Sequence, residues 1–199
     1  MRRLVQHRAA LVAASCIAAA ATGTTLVAGA GADAPPKPNV AVLSSAPTVD
    51  EDAPQVESTE VARQADPNRR DDADVRGVTV RSGTSSVDLI TDGAIVCSGP
   101  DVGGQQGAAA CSPLPLVPDA IPFQTGDGAG GAWVSAVAPD GVVAVSATGD
   151  DGGTATAKVA RNVAVVAVAG AREIRSVSWV TATGERYEQT LGQPARAVR

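Results

Sequence analysis

Residues 133–160 read WVSAVAPDGVVAVSATGDDGGTATAKVA, and their period decides the class of fold. Small apolar side chains recur at every second position, the spacing that places them on one face of a β-strand. Turn residues interrupt them at intervals typical of short strands. The stretch therefore predicts strands over 132–138, 142–148 and 154–160. Pro139-Asp140-Gly141 makes the first join, proline presetting φ and glycine relieving the left-handed strain, and Gly149 to Gly153 makes the second.

Outward from this stretch the pattern continues. VAVVAVA (163–169) is almost continuously apolar, which suits a strand covered on both faces. IRSVSWVTA (174–182) sets Ile174, Val177 and Trp179, or their alternates, on one side, and ERYEQTL (185–191) follows a Thr183-Gly184 turn. Upstream lies VRGVTVRS (75–82). SSVDLIT (85–91) and AIVCS (94–98) flank Asp92-Gly93, a dipeptide that supplies positive φ at a two-residue hairpin turn. The expectation is an all-β domain over 75–191, a small sandwich or partly open barrel of about eight strands, with a flexible tail over 192–199. Phe123, Trp133, Trp179 and Tyr187 are its only aromatics, so its interior must be small and built of valine.

The chain opens MRRLVQHRAALVAASCIAAAATGTTLVAGAGADA. Arg2, Arg3 and Arg8 precede an uncharged run from Ala9 to Ala32 that ends in small residues, the build of an export signal. Cleavage after Ala30 is expected, because Pro35 disfavours the site after Ala34, and residues 1–30 then form a signal peptide. Residues 9–32 are also long enough to cross a bilayer, so an uncleaved anchor with its arginines in the cytoplasm is a second reading. A lipid on Cys16 is a third, although Ala13 stands where leucine is usual. The expected location is secreted or cell-surface through an N-terminal signal, with membrane anchoring by residues 9–32 in the second reading.

Export decides what Cys97 and Cys111 do. Removal of residues 1–30 takes away His7 and Cys16, leaving one cysteine pair and no histidine. A structural zinc site wants two such pairs or histidines beside them. A redox motif wants the two cysteines only two residues apart. In an oxidising compartment two lone cysteines are most simply joined, and on the chain-entropy view a loop of this size contributes about 3 kcal/mol.

Residues 31–74 have a different composition. From Pro35 to Asp74 the chain is rich in Pro, Ser, Asp and Glu, with four basic and nine acidic side chains. Such a segment buries too little surface to offset its ordering entropy. The expectation is a disordered, acidic, Pro-rich linker that spaces the folded part from membrane or wall, with room for a short helix around Val56 to Gln64.

VAPDGVVAVSATGDDGGTATAKVARNVAVVAVAGAREIRSVSWVTATGER (137–186) resembles the C-terminal half of small exported β-domain proteins, common in actinobacteria, that carry a V-P-D-G-V motif. The resemblance falls on Pro139, Asp140, Gly141, Val142, Asn162, Val177, Trp179 and Gly184, with Cys97 and Cys111 as the upstream pair. Ala138 and Thr183 depart from the pattern, which usually has valine and an acidic residue there. The resemblance implies an exported all-β fold and no particular activity.

Several chemistries are excluded or weakly supported. With no imidazole in the exported chain, histidine-based triads are excluded. Asp88, Asp92, Asp119, Asp127, Asp140, Asp150 and Asp151 could in principle form a carboxylate pair acting on a wall glycan. Most stand beside glycine, where aspartate favours turns, and turn residue is the preferred reading. Asp127, Asp150 and Asp151 lack the register of a calcium loop, and GDGAGG (126–131) lacks the Lys-Ser/Thr and helix start of a phosphate cradle. No catalytic residue, metal site or cofactor is expected. Residues 31–199 carry 13 basic and 21 acidic side chains, which disfavours nucleic acid as a partner.

Two segments remain as candidate binding surfaces: the loop 98–110 closed by the cysteines, and SPLPLVPDAIPFQTGDGAGG (112–131). The second is stiffened by four prolines and presents Leu114, Leu116, Val117, Ile121 and Phe123. These residues either dock to a partner or cover an open sheet edge, the preferred account, and Trp133 and Trp179 are expected in the core. The sequence thus reads as a non-catalytic exported module for an extracytoplasmic protein or wall component, with a carboxylate-only hydrolase as the alternative. Protein recovered from outside the cytoplasm should begin at Gly31 and resist thiol alkylation without reduction. An intact leader, or alkylated Cys97 and Cys111, would contradict the export reading.

Overall fold

The alternating stretches form strands close to where their period places them. The computed structural model describes residues 39–48, 75–192 and 195–198. In chain order these hold α1 (Ala41–Ser44), β1 (Arg76–Ser82), β2 (Ser85–Thr91), β3 (Ile95–Val102), β4 (Gln105–Gln106), β5 (Ala110–Pro113) and β6 (Phe123–Gly128). There follow β7 (Gly131–Val137), β8 (Val142–Gly149), β9 (Thr154–Lys158), β10 (Val163–Ala169), β11 (Ile174–Thr181), β12 (Arg186–Thr190) and β13 (Arg196–Val198). Every pairing is antiparallel, in three sheets: β1-β2-β3-β4 with β5 also on β3, β10-β7-β6, and β13-β12-β11-β8-β9. The fold is an all-β, sandwich-like domain without a closed barrel.

The second sheet is the middle layer, because its strands are apolar on both faces. Ala132, Val134 and Ala136 of β7, with Val166 and Val168 of β10, join Val145, Ala147, Val177 and Trp179 of the third sheet in one buried cluster. Val137 and Val163 turn the other way, into a cluster with Val80, Val87, Leu89 and Val96 of the first sheet. The VAVVAVA run therefore divides between two cores. Its cover is complete only over the first half, since Ala167 and Ala169 are exposed.

Cys97 and Cys111 are joined, and they face one another across β3 and β5. Successive strand residues point to opposite faces, so Ile90 lies on the side of the first sheet away from Leu89. The disulfide packs there with Val75 and Ile90, and Ile90 is fully buried. The enclosed residues are no open loop. β3 runs on to Val102, Gly103 and Gly104 turn the chain at φ of 61° and 82°, and β4 and β5 both return along β3. The Gly-Gly pair is itself a hairpin-turn signal, and it corrects the reading of 98–110 as a loop.

Two domain boundaries are also corrected. Residues 39–48, placed by composition in the linker, belong to the domain: Val40, Val42 and Leu43 are buried in the cluster between the first and second sheets. Thr48 then pairs antiparallel with Arg76, and the Gly77 N–H donates to Pro47 O at 3.2 Å. Thr48 and Arg76, on either side of residues 49–74 in the chain, thus stand together at the edge of β1. Five apolar-rich residues, Asn39 to Leu43, were hidden by the average of an acidic window. Likewise Arg196–Val198, read as tail, pairs with β12, and Arg196 Nη2 meets Glu188 Oε2 at 3.4 Å. The signal over 1–30, the apolar run 9–32, residues 31–38 and 49–74, and the helix around Val56 to Gln64 lie outside the described residues.

Trp133 packs against Gly107 and Gly126. A Cβ on Gly107 would stand 3.1 Å from its ring and 2.8 Å from Pro100, and one on Gly126 would overlap the indole. Gly126→Ala should therefore cost about 1–3 kcal/mol by overpacking in urea denaturation. Ser135→Ala should have the opposite or no effect, because the buried Ser135 hydroxyl has no hydrogen-bond partner and loses nothing when removed. Replacing both cysteines by serine should lower stability by about 3 kcal/mol without abolishing β circular dichroism.

Candidate functional site

Residues 112–122 cross from the first sheet to the second, and apolar side chains along them drop into two cores. Leu114 and Leu116 pack with the cluster between the first and second sheets, and Ile121 and Phe123 with the cluster between the second and third. Val117 alone of the five sequence-predicted residues is left out, at 49 % exposed. The segment is thus a covered edge over most of its length and an apolar crest at one point. Beside the crest is a groove of about 330 Å³ lined by Pro113, Pro115, Leu116, Val117, Ala120 and Pro122.

The ridge is held by its backbone. The Leu114 N–H donates to Ala94 O at 2.7 Å, the Ala120 N–H to Val117 O at 3.2 Å, and the Val137 N–H to Pro122 O at 3.0 Å. Trp179, buried and stacked on Tyr187 with ring centres 5.9 Å apart, donates its Nε1–H to Pro118 O at 2.6 Å. The Asn39 side chain takes the Leu116 N–H at 2.9 Å and returns a bond from Nδ2 to Leu116 O. Both tryptophans are core residues, and Trp179 is also a positioning group for the ridge.

A second polar assembly was not foreseen. Arg161 and Asn162 adopt positive φ of 50° and 64° in the turn between β9 and β10, a region that asparagine tolerates better than most residues. From there the buried Asn162 side chain donates Nδ2–H to Ala138 O at 3.0 Å and Asp140 Oδ1 at 2.8 Å, and accepts the Val42 N–H at 3.1 Å. Asp140 Oδ1 also accepts the Ala41 N–H at 3.1 Å, while the Asp140 N–H donates to Asn39 O at 2.7 Å. The Pro-Asp-Gly turn, the Asn162 turn and the N-terminal segment are locked together. The available signal was Arg-Asn between the alternating run TATAKVA and the valine-rich VAVVAVA, an asparagine turn.

Most of the candidate aspartates are engaged in turns or cross-strand contacts. Asp92 Oδ1 accepts the Ala94 and Ile95 N–H groups, Asp101 Oδ1 that of Gly104, and Asp151 Oδ1 that of Gly153. Asp88 accepts the Thr79 hydroxyl at 2.5 Å, while Asp119 and Asp127 are exposed. The Arg172 N–H, at 2.9 Å from Asp150 Oδ1, holds that carboxyl below its ordinary value, with the Glu173 N–H assisting. Among the described residues no group of three or more His, Cys, Asp or Glu side chains is placed to hold a metal ion, and no helix is long and apolar enough to cross a membrane.

Comparison with protein-family models, curated proteins and solved structures returns no match.

Asn162→Ala should lower stability by about 2–4 kcal/mol in urea, combining lost hydrogen bonds to buried groups with left-handed strain. Asn162→Gly, which is free of that strain, should recover about 1 kcal/mol of it. For Asp150 the folded pKa lies below the unfolded one near 3.8, so its contribution is complete above that value and fades as pH falls through the folded pKa. The stability difference between wild type and Asp150→Asn should accordingly shrink on acidification below about pH 4, and a difference that grows instead would contradict the assignment.

Proposed function

We propose that this protein is a non-catalytic β module, exported and either secreted or kept at the cell surface, that binds an extracytoplasmic protein or wall component through the ridge 112–122. The observation that carries the reading is Val117, an exposed apolar residue on a segment fixed by buried side chains and six hydrogen bonds to its main chain. A contact surface ordered before binding loses little entropy when it is used, and an apolar crest beside an apolar groove is the form such a surface takes. The lone disulfide supports export, since paired cysteines persist in oxidising compartments. Kinship with small exported proteins of the V-P-D-G-V type is part of the same proposal. It rests on Pro139, Asp140, Gly141 and Asn162, which belong to the polar lock, and on Trp179, which braces the ridge.

The test is retention of the purified chain on the surface fraction of the cells that make it. Val117→Asp should weaken retention at least about tenfold, an effect of a buried apolar anchor, while the unfolding midpoint stays unchanged. Equal retention by wild type and variant would remove the ridge from the account. Release of soluble glycan from the same fraction, abolished by a carboxylate substitution, would overturn the non-catalytic reading.

A further inference from the structure

Strand β10 is an outermost strand of the second sheet, paired with β7 on one side. The Ala138 N–H donates to Asn162 O at 2.8 Å. Bonding residues alternate along an antiparallel pair, so residues 164, 166 and 168 turn their polar groups to β7, and Val165, Ala167 and Ala169 turn theirs the other way. Val163 faces outward too, and the Ala160 main chain across the turn satisfies it with bonds of 2.9 and 3.1 Å. Among the described residues no strand pairs with the next three. The other outermost strands carry a charge or a proline, the usual defence of a sheet edge: Arg81 in β1, Pro113 in β5, Asp127 in β6, Lys158 in β9 and Arg196 in β13, while β4 has two residues. β10 has neither over its seven residues, and Ala167 and Ala169 are exposed.

Its two ends differ in charge. Arg161 is exposed at a φ of 50°, where glycine would sit without strain, so backbone conformation does not account for an arginine there. At the other end Glu173 is exposed beside Arg172, and Asp151 is exposed in the turn after β8.

We propose that β10 pairs antiparallel with β10 of a second copy about a two-fold axis at Ala167. This register uses every outward group, setting Ala167 opposite itself and Val165 opposite Ala169. An axis at Val165 would instead set Ala167 against Val163, whose polar groups Ala160 already holds. The cross-strand side chains are alanine and valine, small enough to lie side by side. In the turns beyond, the same register carries Arg161 toward Glu173 of the partner subunit, twice by symmetry, and charge complementarity of this kind fixes register and partner. The product is one six-stranded sheet in which neither copy has an open β10 edge, a closed arrangement. The ridge 112–122 leads into β6, on the far side of each half, and stays accessible.

Sedimentation equilibrium of the full chain tests this. The expected result is a dimer at micromolar concentration, and a chain that stays monomeric throughout that range would overturn the proposal. Ala167→Pro removes the N–H at the axis and leaves the bonds to β7 in place, a substitution that edge strands accept, so it should weaken association at least about a hundredfold with the unfolding midpoint held. Arg161→Glu should weaken it at least about tenfold by setting like charges together, and adding Glu173→Arg should restore it. A dimer indifferent to these changes, or not restored by the charge exchange, lies elsewhere and overturns the assignment. Should Ala167→Pro fail to fold, amide exchange of the wild type decides: the Ala167 amide should slow as the protein is concentrated, while that of Val166, bonded to β7, does not change. A concentration-independent Ala167 amide would contradict the pairing.

Discussion

The hydrogen bond between Asn162 Nδ2 and Asp140 Oδ1, 2.8 Å long, lies at the end of the β7–β10 pairing and ties that end to the N-terminal segment. One partner sits in the turn between β7 and β8, the other in the turn that enters β10. Together they present two carbonyl-type oxygens to the main chain of residues 41 and 42. A valine-built core of this size has little stability to spare. Val40 and Leu43 complete the cluster between the first and second sheets, so the lock that seats them is also what closes that interior. The ridge follows from the same constraint, because Asn39 fixes Leu116 and thereby sets the height at which Val117 stands.

Much of the fold could be read in the chain. Strands β7 to β12 lie where alternation and turn residues place them, and their connections carry proline or glycine except the one between β9 and β10, which turns on Arg161-Asn162. The doubly covered β10 was visible as an unbroken apolar run. What alternation cannot show is pairing without a pattern. β4 and β13 are two and three residues long, and β6 reads FQTGDG, whose Gly126 makes room for Trp133 and leaves no apolar alternation to mark a strand. Gly103-Gly104 did carry a turn signal, yet the enclosing disulfide invited a reading as loop.

The site was legible in part, and for a physical reason. The five apolar residues of 112–123 form one list in the sequence, but burial depends on which core each one reaches, and only the fold separates Val117 from the rest. The linker reading failed at Asn39 to Thr48 because disorder is inferred from average composition, whereas docking is decided by a few side chains against a specific cleft. Thr48, at the end of that docked stretch, pairs with Arg76 at the β1 edge.

The account stands or falls on the N-terminal segment being part of the folded interior. Native-state hydrogen exchange at the Val42 amide measures this, since that N–H is bonded to Asn162 Oδ1 and lies beneath buried Val40 and Leu43. The account predicts exchange slowed by a factor on the order of a thousand or more relative to an unstructured chain, comparable with core strands. Exchange at the free-chain rate, with Val134 of the middle sheet still protected, would contradict it.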